Sequence, residues 1–78
     1  MSQPQITIYS KPDCAQCEQV KTALEMRSFD YKEISLDDEE SINDFKAKFP
    51  EVQSMPQVVI DGALIGGKRE LRNWLIEY

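Results

Sequence analysis

Two stretches of alternating apolar and polar residues, QITIYS (5–10) and YKEISL (31–36), frame a segment with a different rhythm. Alternation with period two marks a half-buried strand. Between the two stretches, Val20 and Leu24 recur at helical spacing from Cys17 onward, with Ala23 and Met26 alongside. That helix is expected to end near Arg27. Strand, helix, strand is the most restrictive pattern in the chain. A helical connection returns the chain to the starting end of the first strand, so the two strands are expected to be parallel with a right-handed crossover.

The remainder completes one sheet. DDEESINDFKAKF (37–49) opens with acids and closes with lysines, the order that the helix macrodipole favours. Ile42, Phe45 and Phe49 give it an apolar stripe, and Pro50 stops it. QVVI (57–60) reads as a short strand, Asp61-Gly62 as a hairpin turn, and ALI (63–65) as the return strand, broken by Gly66-Gly67. Leu71, Trp74, Leu75 and Tyr78 space out a last helix. The predicted order is β-α-β-α-β-β-α: an α/β fold with a four-stranded mixed sheet flanked by helices, one domain over residues 1–78.

Composition narrows the function. A net charge of −5 argues against nucleic acid, whose phosphates reward Lys and Arg. No apolar run approaches membrane-spanning length. MSQPQ at the start lacks the basic and apolar regions of a signal peptide, which points to a reducing cytoplasm. There, a cysteine pair more often serves catalysis or metal binding than bracing.

The chain has only two cysteines, Cys14 and Cys17, within KPDCAQCEQVK. A disulfide stabilises mainly by closing a loop in the unfolded chain, and so short a loop removes little entropy. A structural zinc site wants about four Cys or His ligands, and the chain has no histidine. Zinc would need a second chain or outside thiols. A redox couple fits better. Cys14 falls where a strand gives way to a helix, near unpaired backbone N–H groups and the positive end of the macrodipole, which stabilise a thiolate. Cys17 lies one turn on, within disulfide reach, and begins the apolar stripe. Cys14 is therefore expected to attack and Cys17 to resolve. Asp13 opposes the thiolate and Lys11 favours it.

Three motifs extend the reading. YSKPDCAQC resembles the Y-[ST]-K-x-x-C-x-x-C of glutaredoxins, SMPQVVIDG their T-V-P-x-[IV]-F-[IV], and IGGKREL their I-G-G-x-[DS]-[DE]-L. The spacing between motifs matches too, so the whole chain resembles a dithiol glutaredoxin of the thioredoxin fold. The resemblance implies a glutathione-dependent thiol–disulfide oxidoreductase acting on protein disulfides and glutathionylated proteins. It implies glutathione as co-substrate, a monomer, and ribonucleotide reductase as a client by analogy.

Carried over by position, Lys11 faces the glycine carboxylate of glutathione, and Gln53 and Asn43 contact the same carboxylate. Without the resemblance, all three read as solvated polar residues. Met55 precedes Pro56 across a peptide bond that the family holds cis, leaving the Met55 backbone to pair with the cysteinyl part. Gly66 and Gly67 let the last helix bring N–H groups near Lys68 and Arg69 to the γ-glutamyl carboxylate. Glu70 pairs with the γ-glutamyl ammonium. Lys11, Lys68 and Arg69 form a basic patch suited to an anion with two carboxylates.

The active site C-A-Q-C departs from the family's usual C-P-Y-C. Gln16 replaces an aromatic wall beside the bound thiol, and Ala15 replaces a proline. Arg69 stands where an acid or small polar residue is usual. C-x-Q-C is also similar to NrdH redoxins, which take electrons from thioredoxin reductase, although those proteins carry W-S-G-F-[RQ]-P where this chain has IGGKREL. Loss of the proline leaves open a third role, in which two chains and two glutathiones hold a [2Fe–2S] cluster through Cys14. No other metal ligation is expected.

Overall fold

The computed structural model describes residues 3–52 and 54–78. It contains β1 (Ile6–Ser10), α1 (Ala15–Met26), β2 (Lys32–Ser35), α2 (Glu39–Lys48), β3 (Gln57–Ile60), β4 (Ala63–Gly66) and α3 (Lys68–Glu77), in the predicted order. The sheet runs β2-β1-β3-β4. The β1–β2 pair is parallel, as the crossover rule requires, and β1–β3 and β3–β4 are antiparallel.

Alternation along the central strands divides the core in two. Ile6 and Ile8 of β1 join Val58 and Ile60 of β3 on one face, covered by Val20 and Leu24 of α1 and Leu71 and Leu75 of α3. The intervening residues Tyr9 and Val59 point to the other face, where Phe45 of α2 covers them. The Tyr9 and Phe45 rings lie 4.8 Å apart and tilted, within the range of favourable aromatic pairs. Two helices thus cover one face of the sheet and one helix covers the other.

Several boundaries and burials differ from the sequence reading. Gly66 belongs to β4, paired with Val58 across a register shift, because a bulge absorbs the glycine that otherwise ends a strand. Met26 is 81% exposed and Tyr78 70% exposed, although the sequence pattern sets Met26 alongside one apolar stripe and Tyr78 on another. Met26 is the last residue of α1 and borders a surface hollow between α1 and α3. Tyr78 instead lays its ring on Trp74 and Phe29. α2 begins at Glu39 because the Asp38 side chain caps it, accepting the Ser41 N–H at 2.7 Å.

A polar cluster ties α1 to the edge strand. Ser10 is buried, and its hydroxyl donates to the Glu33 carboxylate at 2.8 Å. Lys21 donates to the same carboxylate at 3.0 Å and also pairs with Glu18. The Lys21 ammonium, then the Ser10 hydroxyl, hold the Glu33 carboxyl below its usual range.

Two predictions follow from the packing and the cluster. Leu24 is fully buried, so Leu24→Ala is expected to cost about 2–5 kcal/mol in urea unfolding, whereas Met26→Ser stays within about 0.5 kcal/mol. A depressed carboxyl adds stability above its unfolded value, near 4.5 for Glu33, and loses it as pH falls. Glu33→Gln is therefore expected to flatten the decline of Tm as pH is lowered through the acid range, with little change in slope above neutrality.

Candidate active site

Sheet topology gathers three separated segments at one end. Tyr9 of β1 stands opposite Gln57 of β3, and Val58 stands opposite Gly66 of β4. The C-terminal ends of β1, β2 and β4 and the N-terminal end of β3 therefore coincide. α1, α2 and α3 all follow from this end, so their N–H-rich termini gather there with the cysteines, Met55-Pro56 and Gly66-Gly67.

Cys14 is the N-cap of α1, in extended backbone geometry, and its Sγ accepts the Cys17 N–H at 3.1 Å. Asp13 delivers it there by taking a left-handed conformation (φ 56°), which Asp tolerates better than most residues. Cys14 is half-buried and Cys17 is 1% exposed. The two form a disulfide, with Cα atoms 5.2 Å apart. The outer sulfur therefore sits at the helix terminus and the inner one among core side chains.

The other two segments meet around Gly67. The Met55-Pro56 peptide is cis and Pro56 is buried. A Cβ on Gly67 would lie 3.3 Å from the Pro56 carbonyl oxygen, so the glycine permits a close approach of the α3 terminus to the proline loop. Gly66 adopts φ +129°, and a Cβ there would meet the Glu70 Cγ at 2.7 Å. Glu70 Oε1 accepts the Gly67 N–H at 2.9 Å, closing the first turn of α3. Gln57 Nε2 donates to the Ser54 carbonyl at 2.9 Å and fastens the proline loop.

The remaining predicted residues separate into those that join this cluster and those that do not. Lys11 is exposed just after β1 and shares a pocket of about 190 Å³ with Met55. Ile42, Phe45 and Lys46 of α2 line the same pocket. Asn43 is exposed on α2 outside that lining. Lys46, which the sequence reading treated only as a helix-end charge, occupies the place beside Lys11. Its signal was its position on the turn of Ile42 and Phe45. Gln16 is exposed between the cysteines. Arg69 is exposed and lies with Arg72, Asn73 and Ile76 on an outer stripe of α3, a different side from the Glu70–Gly67 contact. Gln53 lies outside the described residues. Among the described residues, no group of three or more His, Cys, Asp or Glu side chains is placed to hold a metal ion.

The glutaredoxin family model matches residues 6–65, which carries the cysteine pair, the proline loop and the sheet. This chain belongs to the glutaredoxin family. The thioredoxin-like fold has close counterparts in solved glutaredoxins. Glutaredoxin 1 from Francisella tularensis, complexed with cacodylate, superposes with a TM-score of 0.84 at 23% identity, over 96% of this chain and 95% of that one. The buckwheat glutaredoxin–glutathione complex gives 0.80 at 25% identity, over 95% of this chain and 70% of that one. The glutaredoxin-like protein NrdH of Escherichia coli K12 is 50% identical over 32 residues, 41% of this chain. The alignment spans only 40% of NrdH. The family match supports a redox protein built on the C-x-x-C pair, and the solved structures support its fold.

Gly66→Ala is expected to lower stability by about 1–3 kcal/mol, because φ +129° suits no L-residue and the new Cβ collides with Glu70. Gly62→Ala (φ +83°) carries backbone strain in open space, so it is expected to cost less. Urea unfolding of the two variants side by side checks this order.

Proposed function

We propose that this glutaredoxin is a glutathione-dependent thiol–disulfide oxidoreductase in which Cys14 attacks and Cys17 resolves. The observation that carries the assignment is the unequal placement of the sulfurs. Cys14 is reachable and accepts a helix-terminal N–H, whereas Cys17 is enclosed. That N–H and the macrodipole stabilise negative charge on Cys14 in the reduced protein.

The cycle balances as follows. The Cys14 thiolate attacks one sulfur of a client disulfide, forming a Cys14–client bond and expelling the other client sulfur as a thiolate, which takes a proton from water. Cys17 loses its proton, attacks the Cys14 sulfur and expels the second client thiol. This leaves the Cys14–Cys17 disulfide, the state described here. One glutathione thiolate then opens that disulfide at Cys14. A second attacks the bound glutathione sulfur and leaves as oxidised glutathione. A glutathionylated protein needs only Cys14 and one further glutathione.

The three gathered segments suit a tripeptide thiol with two carboxylates. Lys11, with Lys46 beside the same pocket, supplies cations for the glycine carboxylate. Asn43 and Gln53 are proposed to help there. The Met55 backbone beside Pro56 pairs with the cysteinyl unit, and Gln16 borders its thiol. Helix-terminal N–H groups after Gly67, at Lys68 and Arg69, receive the γ-glutamyl carboxylate. Glu70 meets the ammonium while one of its oxygens holds the Gly67 N–H. The glutathione complex of the buckwheat relative supports this reading.

A second reading, reduction by thioredoxin reductase, is favoured by the local 50% identity to NrdH. Supplying each reductant separately distinguishes the two. Turnover of a small glutathione mixed disulfide is expected with glutathione and glutathione reductase. Turnover with thioredoxin reductase alone reverses the choice. Cys14→Ser is expected to abolish activity. Cys17→Ser is expected to keep a substantial part of the mixed-disulfide activity and lose reduction of protein disulfides.

A further inference from the structure

We propose that the groove between α1 and α3 docks an acidic segment, studded with apolar residues, of the client protein. The proposal rests on the oxidoreductase reading above and adds the surface by which a client is chosen. The groove is a hollow of about 440 Å³ whose floor is formed by Ala23, Leu71 and Leu75. Met26 and Ile76 stand at its far end, 81% and 69% exposed. Large apolar side chains so placed beside a hollow mark an interaction surface more than isolated exposed residues do.

The charge around the groove is opposite to that of the chain. Arg27, Lys68 and Arg72 line it, and Arg69 lies on the adjoining stripe of α3. These are four of the nine Lys and Arg residues in a chain of net charge −5. No carboxylate lines the groove among the described residues. Three of the four acids of the two helices are engaged elsewhere, and the fourth, Glu77, ends α3 outside the groove lining. Glu18 pairs with Lys21, Glu25 accepts the Tyr31 hydroxyl, and Glu70 accepts the Gly67 N–H. A concave apolar floor with a cationic rim complements a peptide carrying both apolar and acidic residues.

The groove also extends away from the redox site. Both helices start at the active end, and Met26 lies nine positions after Cys17 on α1, about 14 Å along the axis. An extended tripeptide spans only about 10–11 Å. Glutathione seated at the cysteines therefore leaves the far end open, and a polypeptide reaches both.

The test uses a synthetic peptide with a small disulfide loop followed by a segment of Leu residues at helical spacing with Glu between them. Its partner has Lys in place of each Glu. Reduction of the Glu peptide by the full chain is expected to be about tenfold more efficient in kcat/KM, and high salt is expected to shrink that ratio. Arg72→Glu and Ile76→Ser, both at exposed positions, are expected to remove the preference. Both variants are expected to keep wild-type turnover of a small glutathione mixed disulfide, which also verifies folding. Equal reduction of the two peptides by the wild type overturns the proposal. So does a preference unchanged in both variants, or tighter binding to anionic phosphatidylserine vesicles than to the Glu peptide. Failure of the wild type on the mixed disulfide counts against the glutathione reading instead. Fluorescence anisotropy of the labelled peptides then still decides the docking surface.

Discussion

Everything at the active end depends on β1 pairing in two senses at once. It runs parallel to β2 and antiparallel to β3, with Ser10 beside Ser35 on one side and Tyr9 beside Gln57 on the other. The parallel pair sends two helix starts to that end. The antiparallel pair brings the proline loop back to it, and the hairpin carries Gly66 and Gly67 there as well. Residues more than forty positions apart become neighbours through the register of one strand. The α1–β1–β3–α3 core then holds the arrangement by burying Ile8, Leu24, Val58 and Leu71 almost completely.

Within that frame, small polar contacts set the local chemistry. Cys14 caps α1 with sulfur where Ser, Thr, Asp or Asn is usual, so its own helix supplies its hydrogen-bond donor. Asp38 caps α2 with a carboxylate, and Glu70 holds the start of α3 from inside the first turn. The three helices begin by different devices, and only α1 carries a cysteine at its N-terminus. Lys21 and Glu33 neutralise one another on the flank of α1, so the cations left without a carboxylate partner among the described residues of this groove are Lys68 and Arg72 of α3 and Arg27, which donates only to the Leu75 carbonyl.

Much of this was legible in the sequence because periodicity reports burial. Val20 and Leu24, and the alternation through Ile6, Ile8 and Tyr9, identified both elements and faces. Order alone gave the parallel crossover. Periodicity failed at the C-terminal ends of two helices. Met26 and Tyr78 keep the helical rhythm at the ends of α1 and α3 yet stay largely exposed. It also failed where backbone decides. Gly66 looked like a strand breaker, yet its positive φ lets it finish β4 through a bulge. Lys46 was hidden for another reason: only tertiary packing brings its turn of α2 beside Lys11. The cis peptide before Pro56 came from the family resemblance, since nothing in the local composition distinguishes it from an ordinary X–Pro bond.

The Glu70–Gly67 contact has a consequence for recognition. A glutamate side chain on a surface normally gives up considerable rotamer freedom when a ligand fixes it. Here the backbone has already claimed one oxygen, and the Gly66 Cα sits so close that even a methyl group would touch the chain. Any cation arriving at this corner meets a carboxylate whose aim was set during folding. The ordering cost falls on the fold rather than on the complex, and selectivity at that corner is a matter of shape as much as of charge.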